Sequence, residues 1–190
     1  MKRHLVLALV LALVGVFSNA QNKTFNFFDL QISYPQNCTI HGIEKKADPD
    51  YGKYCSFIVS ARFSDGSEER MKVEVESKLA FSLLSLVSDD DSDALESIVE
   101  LFYCGLSSSP VYSHFEEEDG GATEKYAYKD FLGRYYRDKR TSSTMYYENI
   151  KGRLYVRLFG DYFVCFTMII PGENNFKTLQ AIANSLTYSY

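Results

Sequence analysis

Tyr162-Phe163-Val164-Cys165-Phe166-Thr167-Met168-Ile169-Ile170, closed by Pro171-Gly172, carries the first structural decision in this chain. In an extended segment successive side chains point to opposite faces. Val164, Phe166, Met168 and Ile170 therefore share one face, and Phe163, Cys165 and Ile169 share the other. A strand apolar on both faces must be covered on both, which predicts a central position in a sheet. Pro171-Gly172 ends the strand, and Gly160-Asp161 turns the chain into it from a preceding strand over 155–159. The rest of the chain must supply a covering layer on each side.

Working outward, Phe176, Leu179, Ile182, Ala183 and Leu186 recur at helical spacing and predict a final amphipathic helix, capped near Glu173 to Asn175. Leu95, Ile98, Val99, Phe102 and Leu106 predict a second helix over about 92–106, with acids before its first turn where the macrodipole favours them. Phe57, Val59, Ala61 and Phe63, then Asp65-Gly66, then Met71, Val73 and Val75 read as a hairpin over 54–78. Phe28, Leu30, Ile32 and Tyr34 alternate as one strand ended by Pro35, and a short strand follows over 38–43. Residues 45–53, 107–110 and 116–121 have the composition of loops. The apolar run 79–87 fits either a continuing strand or a short buried helix. Over 122–141 aromatic and charged residues alternate, with Gly133 as a turn or bulge, and 144–170 reads as a strand meander punctuated at Gly152. Hairpin connections with helices between them predict one α+β domain over 21–190, an antiparallel β-sheet with helices packed on it.

Of the 190 residues 46% are hydrophobic and 24% charged, which excludes a disordered, collagen-like or coiled-coil chain. The formal charge of −5 argues against a nucleic-acid partner. Lys2 and Arg3, an uncharged apolar run over 5–17, and small Ser18 and Ala20 have the three-part form of a secretory signal peptide over 1–20, cleaved after Ala20. The run is shorter than the roughly 20 residues that span a bilayer, and no later stretch is long enough to do so. The expected location is secreted or periplasmic. Cleavage removes two basic residues and no acid, taking the charge to −7. In an oxidising compartment the even set Cys38, Cys55, Cys104 and Cys165 suggests disulfides. Cys38 and Cys55 are expected to pair, because they fall in neighbouring predicted strands, and such a bridge would contribute about 3 kcal/mol. Four buried free thiols are the alternative.

Little in the chain carries catalytic chemistry. His41 and His114 are the two histidines after the leader, and no GxSxG elbow is present. No residue is nominated as catalytic. An exported hydrolase with a His-centred site would need one of them in a cleft beside a Ser and an acid. Asp89, Asp91, Asp93 and Glu100 imitate calcium-loop spacing, but Ala94 stands where glycine is required, so they read as helix-start acids; no metal and no cofactor is implied. The candidate ligand-binding surface is basic and aromatic. Arg134, Tyr136 and Arg140 share one face of a predicted strand, as do Arg153, Tyr155 and Arg157 on another. On neighbouring strands they would form a grid suited to a small anionic ligand.

The opening Phe28-Asp29-Leu30-Gln31-Ile32-Ser33-Tyr34-Pro35, the long apolar strand 162–170 and the helix from Phe176 to Leu186 resemble the family of the PsbP extrinsic protein of photosystem II, the Ran-binding Mog protein and the bacterial DcrB lipoproteins. Cys38 stands near where that family commonly carries a Trp. The resemblance covers most of the chain after residue 20 and implies an antiparallel sheet sandwiched between helices. It implies no catalysis, but an accessory, binding or assembly role. Together these readings favour an exported non-catalytic binding or accessory protein whose partner is a protein or a small anion. The alternatives are the hydrolase and an envelope structural or assembly subunit.

Overall fold

The computed structural model describes residues 22–49, 52–62, 68–81, 91–137, 146–171 and 176–189. The expected leader over 1–20, the expected turn at Asp65-Gly66, Arg140 and the expected cap at Glu173 to Asn175 lie outside these residues. Ten strands are described: β1 Lys23–Phe27, β2 Leu30–Tyr34, β3 Cys38–Asp48, β4 Gly52–Arg62, β5 Glu68–Ser77, β6 Tyr112–Ala122, β7 Tyr126–Arg137, β8 Tyr146–Phe159, β9 Tyr162–Pro171 and β10 Thr187–Tyr188. A 3₁₀ turn spans Lys78–Phe81, and helices α1 and α2 span Asp91–Ser107 and Lys177–Asn184.

The main sheet has seven antiparallel strands in the order β3-β4-β5-β9-β8-β7-β6. The strand expected to be central, β9, is the middle one. Its Val164, Phe166, Met168 and Ile170 join a core with Phe57, Val59, Met71 and Val73, roofed by α2 and by the small sheet β1-β2-β10. Its Phe163, Cys165 and Ile169 face a second core under α1, with Leu95, Ile98, Phe131 and Leu154. The α+β sandwich therefore follows from one doubly apolar strand and two amphipathic helices.

The hairpin over 54–78 and the helix over 92–106 are present as β4–β5 and α1. Several local expectations are corrected. Residues 28–34 are not one strand; Phe28, at φ 54°, turns β1 back onto β2. The expected loop 45–53 is mostly strand, because β3 and β4 pair as far as Asp48 and Gly52. The acidic run 116–121 is part of β6, in register with β7 across two irregularities. Gly133 is not a turn: it sits within β7 opposite Ile150, and on its other side it faces the β6 bulge between Ser113 and Glu116, so of the two expectations the bulge is the one that holds. Phe176, with no side-chain cap hydrogen bond, precedes α2, and β10 follows it unannounced. The ambiguous segment 79–87 begins as the 3₁₀ turn.

The expected Cys38–Cys55 disulfide is absent, and all four cysteines are free thiols. The two do lie on paired strands, but Cys38 stands opposite Ala61 while Cys55 stands opposite Lys45. That places them six register positions apart, about 20 Å along the ladder, far beyond the roughly 7 Å Cα limit for a disulfide. Cys38, Cys55 and Cys165 are buried and act as small apolar side chains, whereas Cys104 is exposed on α1.

Gly152 has a steric role. It stands opposite Phe131 in the β7–β8 ladder, and the Phe131 ring lies over the space a Cβ would occupy. Phe131 is fully buried and packs against Phe115 and Tyr103, at ring distances of 5.0 and 5.9 Å.

Candidate binding groove

Helix α1 packs on β6, β7 and β8. It does so through Leu95, Ile98 and Val99 and through Lys129, which rises from β7 to ion pairs with Glu100 of α1 and Glu117 of β6 and lies over the Tyr103 ring. The β5 flank of the same sheet face carries Glu68, Arg70, Lys72, Glu74 and Glu76, while the opposite side of β5 buries Met71, Val73 and Val75. Between α1 and that charged flank runs a groove of about 1090 Å³. This is slightly larger than ordinary ligand pockets, roughly 300–1,000 Å³.

Its floor is β5, with Ile58, Thr167 and Ile169 beside it. The α1 wall presents Leu101, Phe102, Gly105 and Leu106, and Leu101 is 57% exposed. Phe81 lines it from the 3₁₀ turn, and Tyr112, Tyr135, Glu148 and Ile150 come from the strands beyond β9. Arg70 pairs with Glu68 at 3.1 Å and Lys72 with Glu74 at 2.6 Å. Arg70 holds the Glu68 carboxyl below its usual range. Burial, then the neighbouring Glu74 carboxylate, pushes the Glu76 carboxyl up. Neither Glu76 nor Glu148 has an ion-pair partner among the described residues. Burial also raises the Tyr112 hydroxyl, whose ring lies 5.5 Å from that of Tyr135.

The Arg/Tyr surface is arranged differently. β7 and β8 are neighbours, and Arg153, Tyr155 and Arg157 stand opposite Asp130, Tyr128 and Tyr126. This face lies under α2. Arg153 donates from Nε and Nη2 to the two Asp130 oxygens at 2.6 and 2.7 Å, and from Nη1 to Gln180 Oε1 at 3.1 Å. Its guanidinium also lies over the Tyr128 and Phe176 rings. Arg157 donates to the Ala183 carbonyl, and Tyr155 is buried. Arg153 and Arg157 thus dock α2. Arg134 is exposed four positions beyond Asp130 on β7, and Tyr136 is half-buried further along the same strand. The two exposed histidines occupy opposite edges of the seven-stranded sheet, His41 on β3 and His114 on β6, so they cannot share a site. Among the described residues no group of His, Cys, Asp and Glu could hold a metal ion. No described helix is long and apolar enough to cross a membrane.

The reading from sequence missed the groove, since the charged side of β5 looks like an ordinary solvent face. A usable signal was present. β5 alternates charge with apolar residues although it belongs beside the doubly buried β9, which indicates a sheet covered on only one side there.

No family model and no curated protein sequence matches the chain. Among solved structures, the Saccharomyces cerevisiae Ran-binding protein Mog1p is similar with a TM-score of 0.50 at 11% identity, covering 90% of this chain and 96% of that one. Cyanobacterial PsbP from Synechocystis gives a TM-score of 0.45 at 12% identity, covering 90% and 94%. A Bacteroides thetaiotaomicron structure gives 0.42 at 9% identity; it is matched over 90% of this chain, which spans about half, 49%, of that longer chain. The Mog1p likeness shows a shared antiparallel α+β fold. At this identity it shows nothing about activity.

Proposed function

We propose that the protein is an exported, non-catalytic binding or accessory module whose partner seats in the groove between α1 and β5. One observation carries the reading: α1 roofs the β6–β8 side of its sheet face and leaves a cleft of about 1090 Å³ over β5, walled by Leu101, Phe102 and Leu106. Uncovered apolar surface inside a concave site is the usual mark of ligand or protein binding. The leader over 1–20 supports export, and a fold shared with a Ran-binding protein is compatible with a binding role.

Gly105→Trp tests the site. A Cβ added at Gly105 meets no atom within 4 Å among the described residues, and Trp is the better helix former, so the helix accepts the change there and the indole is directed at the groove that Gly105 lines. Nile red, a neutral environment-sensitive dye, should bind the wild-type protein with a blue-shifted emission and lose that signal in G105W, with an unchanged thermal transition. Equal dye binding by both proteins, or none by the wild type, refutes the groove. Export is tested separately: the intact mass of protein secreted from cells expressing the full chain should correspond to a start at Gln21.

A further inference from the structure

We infer that the occupant of the groove is an extended peptide segment with apolar side chains between basic ends. This rests on the binding reading above and names its partner. Length argues first. The β5 floor from Glu68 to Glu76 is about 27 Å long at 3.4 Å per residue, which matches an extended segment of about eight residues rather than a compact small molecule.

Charge argues next. Two of the floor acids, Glu68 and Glu74, are neutralised by Arg70 and Lys72. The two carboxyls without an ion-pair partner among the described residues stand toward opposite ends: Glu76 near the 3₁₀ turn, and Glu148 beyond the Glu68 end of the floor, beside Tyr135. Leu101, Phe102 and Leu106 form the apolar wall between them. Glu76 is a half-buried carboxyl beside Glu74, so its ionised form lacks a countercharge that an incoming ammonium or guanidinium would supply. An acidic segment would instead add like charge to both ends and be rejected.

The test uses fluorescence anisotropy with two labelled peptides. Each has about eight alternating Leu and Ser residues, roughly the extended reach of the floor, flanked at both ends by Lys pairs in one peptide and Glu pairs in the other. The Lys-flanked peptide should bind at least tenfold more tightly than the Glu-flanked one, by about 1.4 kcal/mol or more. E76Q/E148Q should erase most of that preference, and G105W should abolish binding of both. Equal affinity for the two peptides, tighter binding of the acidic one, or a preference unchanged in E76Q/E148Q overturns the charge assignment. If either peptide still binds and G105W blocks it, the groove reading survives that failure. If neither peptide nor Nile red binds, both readings fall together.

Discussion

Replacing Gly152 by alanine should destabilise the protein, although the same change at an unconstrained strand glycine would help. Alanine normally gains about 0.5–1 kcal/mol over glycine within a strand by restricting the unfolded chain. At Gly152 the new methyl would fall inside van der Waals contact with three carbons of the Phe131 ring. That ring has no free direction of retreat, since Phe115 and Tyr103 flank it and it is fully buried. Overpacking of this kind costs about 1–3 kcal/mol, so the net loss should be about 1–2 kcal/mol. With a urea m-value of about 2 kcal/mol/M the midpoint should drop by about 0.5–1 M. The decisive comparison is a double-mutant cycle with Phe131→Leu. Phe131→Leu alone should destabilise, but in that background Gly152→Ala should become neutral or stabilising, giving a coupling of about 1–2 kcal/mol. If Gly152→Ala raises the midpoint in the wild-type background, or if the two changes add, then the cross-strand cover of a glycine by an aromatic ring is not what holds this pair.

Three further outcomes follow from the packing. Arg153→Ala should cost about 3 kcal/mol in chemical denaturation, because it strands the buried Asp130 carboxylate and detaches α2 from β8; the double variant with Asp130→Asn should recover part of the loss. Glu69 is 4% exposed on the inner face, with Oε2 unpartnered and its carboxyl pushed up by burial. The folded state therefore holds its proton to higher pH than the unfolded state, and stability falls as pH rises from the usual glutamate value of about 4.3 through the raised one. Glu69→Gln should be the more stable protein at pH 7, by about 1 kcal/mol, with the advantage gone below pH 4; equal unfolding midpoints at pH 7 would remove the buried-charge account. A thiol reagent should label Cys104 rapidly in the native protein and all four cysteines only in denaturant, since Cys38, Cys55 and Cys165 are buried and burial raises their thiols. Two thiols missing from the denatured count would restore a disulfide.

The parts of the fold legible in the sequence are those where burial writes a period. β9 shows both faces, β4 and β5 one face each, and α1 and α2 a stripe. β6 and the part of β3 beyond residue 43 show nothing of the kind. They are the sheet edges, most of their side chains are exposed on either face, and their extended form comes from pairing with β4 and β7. A run such as Glu116-Glu117-Glu118-Asp119 therefore reads as loop until its neighbour is known. The β1–β2 turn was hidden because a phenylalanine, not a glycine, adopts positive φ there. The groove was illegible for another reason: among the described residues it is defined by where α1 does not reach, and that limit leaves no mark on the residues beneath it beyond their charge. Arg134 and Tyr136 of β7 do share a face with Arg153, Tyr155 and Arg157 of β8, but α2 docks on Arg153 and Arg157, and that roof could not be read from the strands alone.

The position of β9 also sets the order in which the molecule can assemble. β3, β4 and β5 form one meander and β6 through β9 another, and among the described residues the ladder that joins them pairs β5 with β9, roughly ninety residues apart in the chain. As a growing or emerging polypeptide, the first half presents β5 as a raw edge until Tyr162–Pro171 arrives, and Met71, Val73 and Val75 lack their α2 cover until 177–184 follow. The β1–β2 hairpin waits longer still, because α2 and β10 come from the last fifteen residues of the chain. Contacts this remote make folding slow and nearly all-or-none on chain completion. Loss of those last fifteen residues would therefore leave the seven-stranded sheet with one apolar face unroofed instead of a smaller working protein.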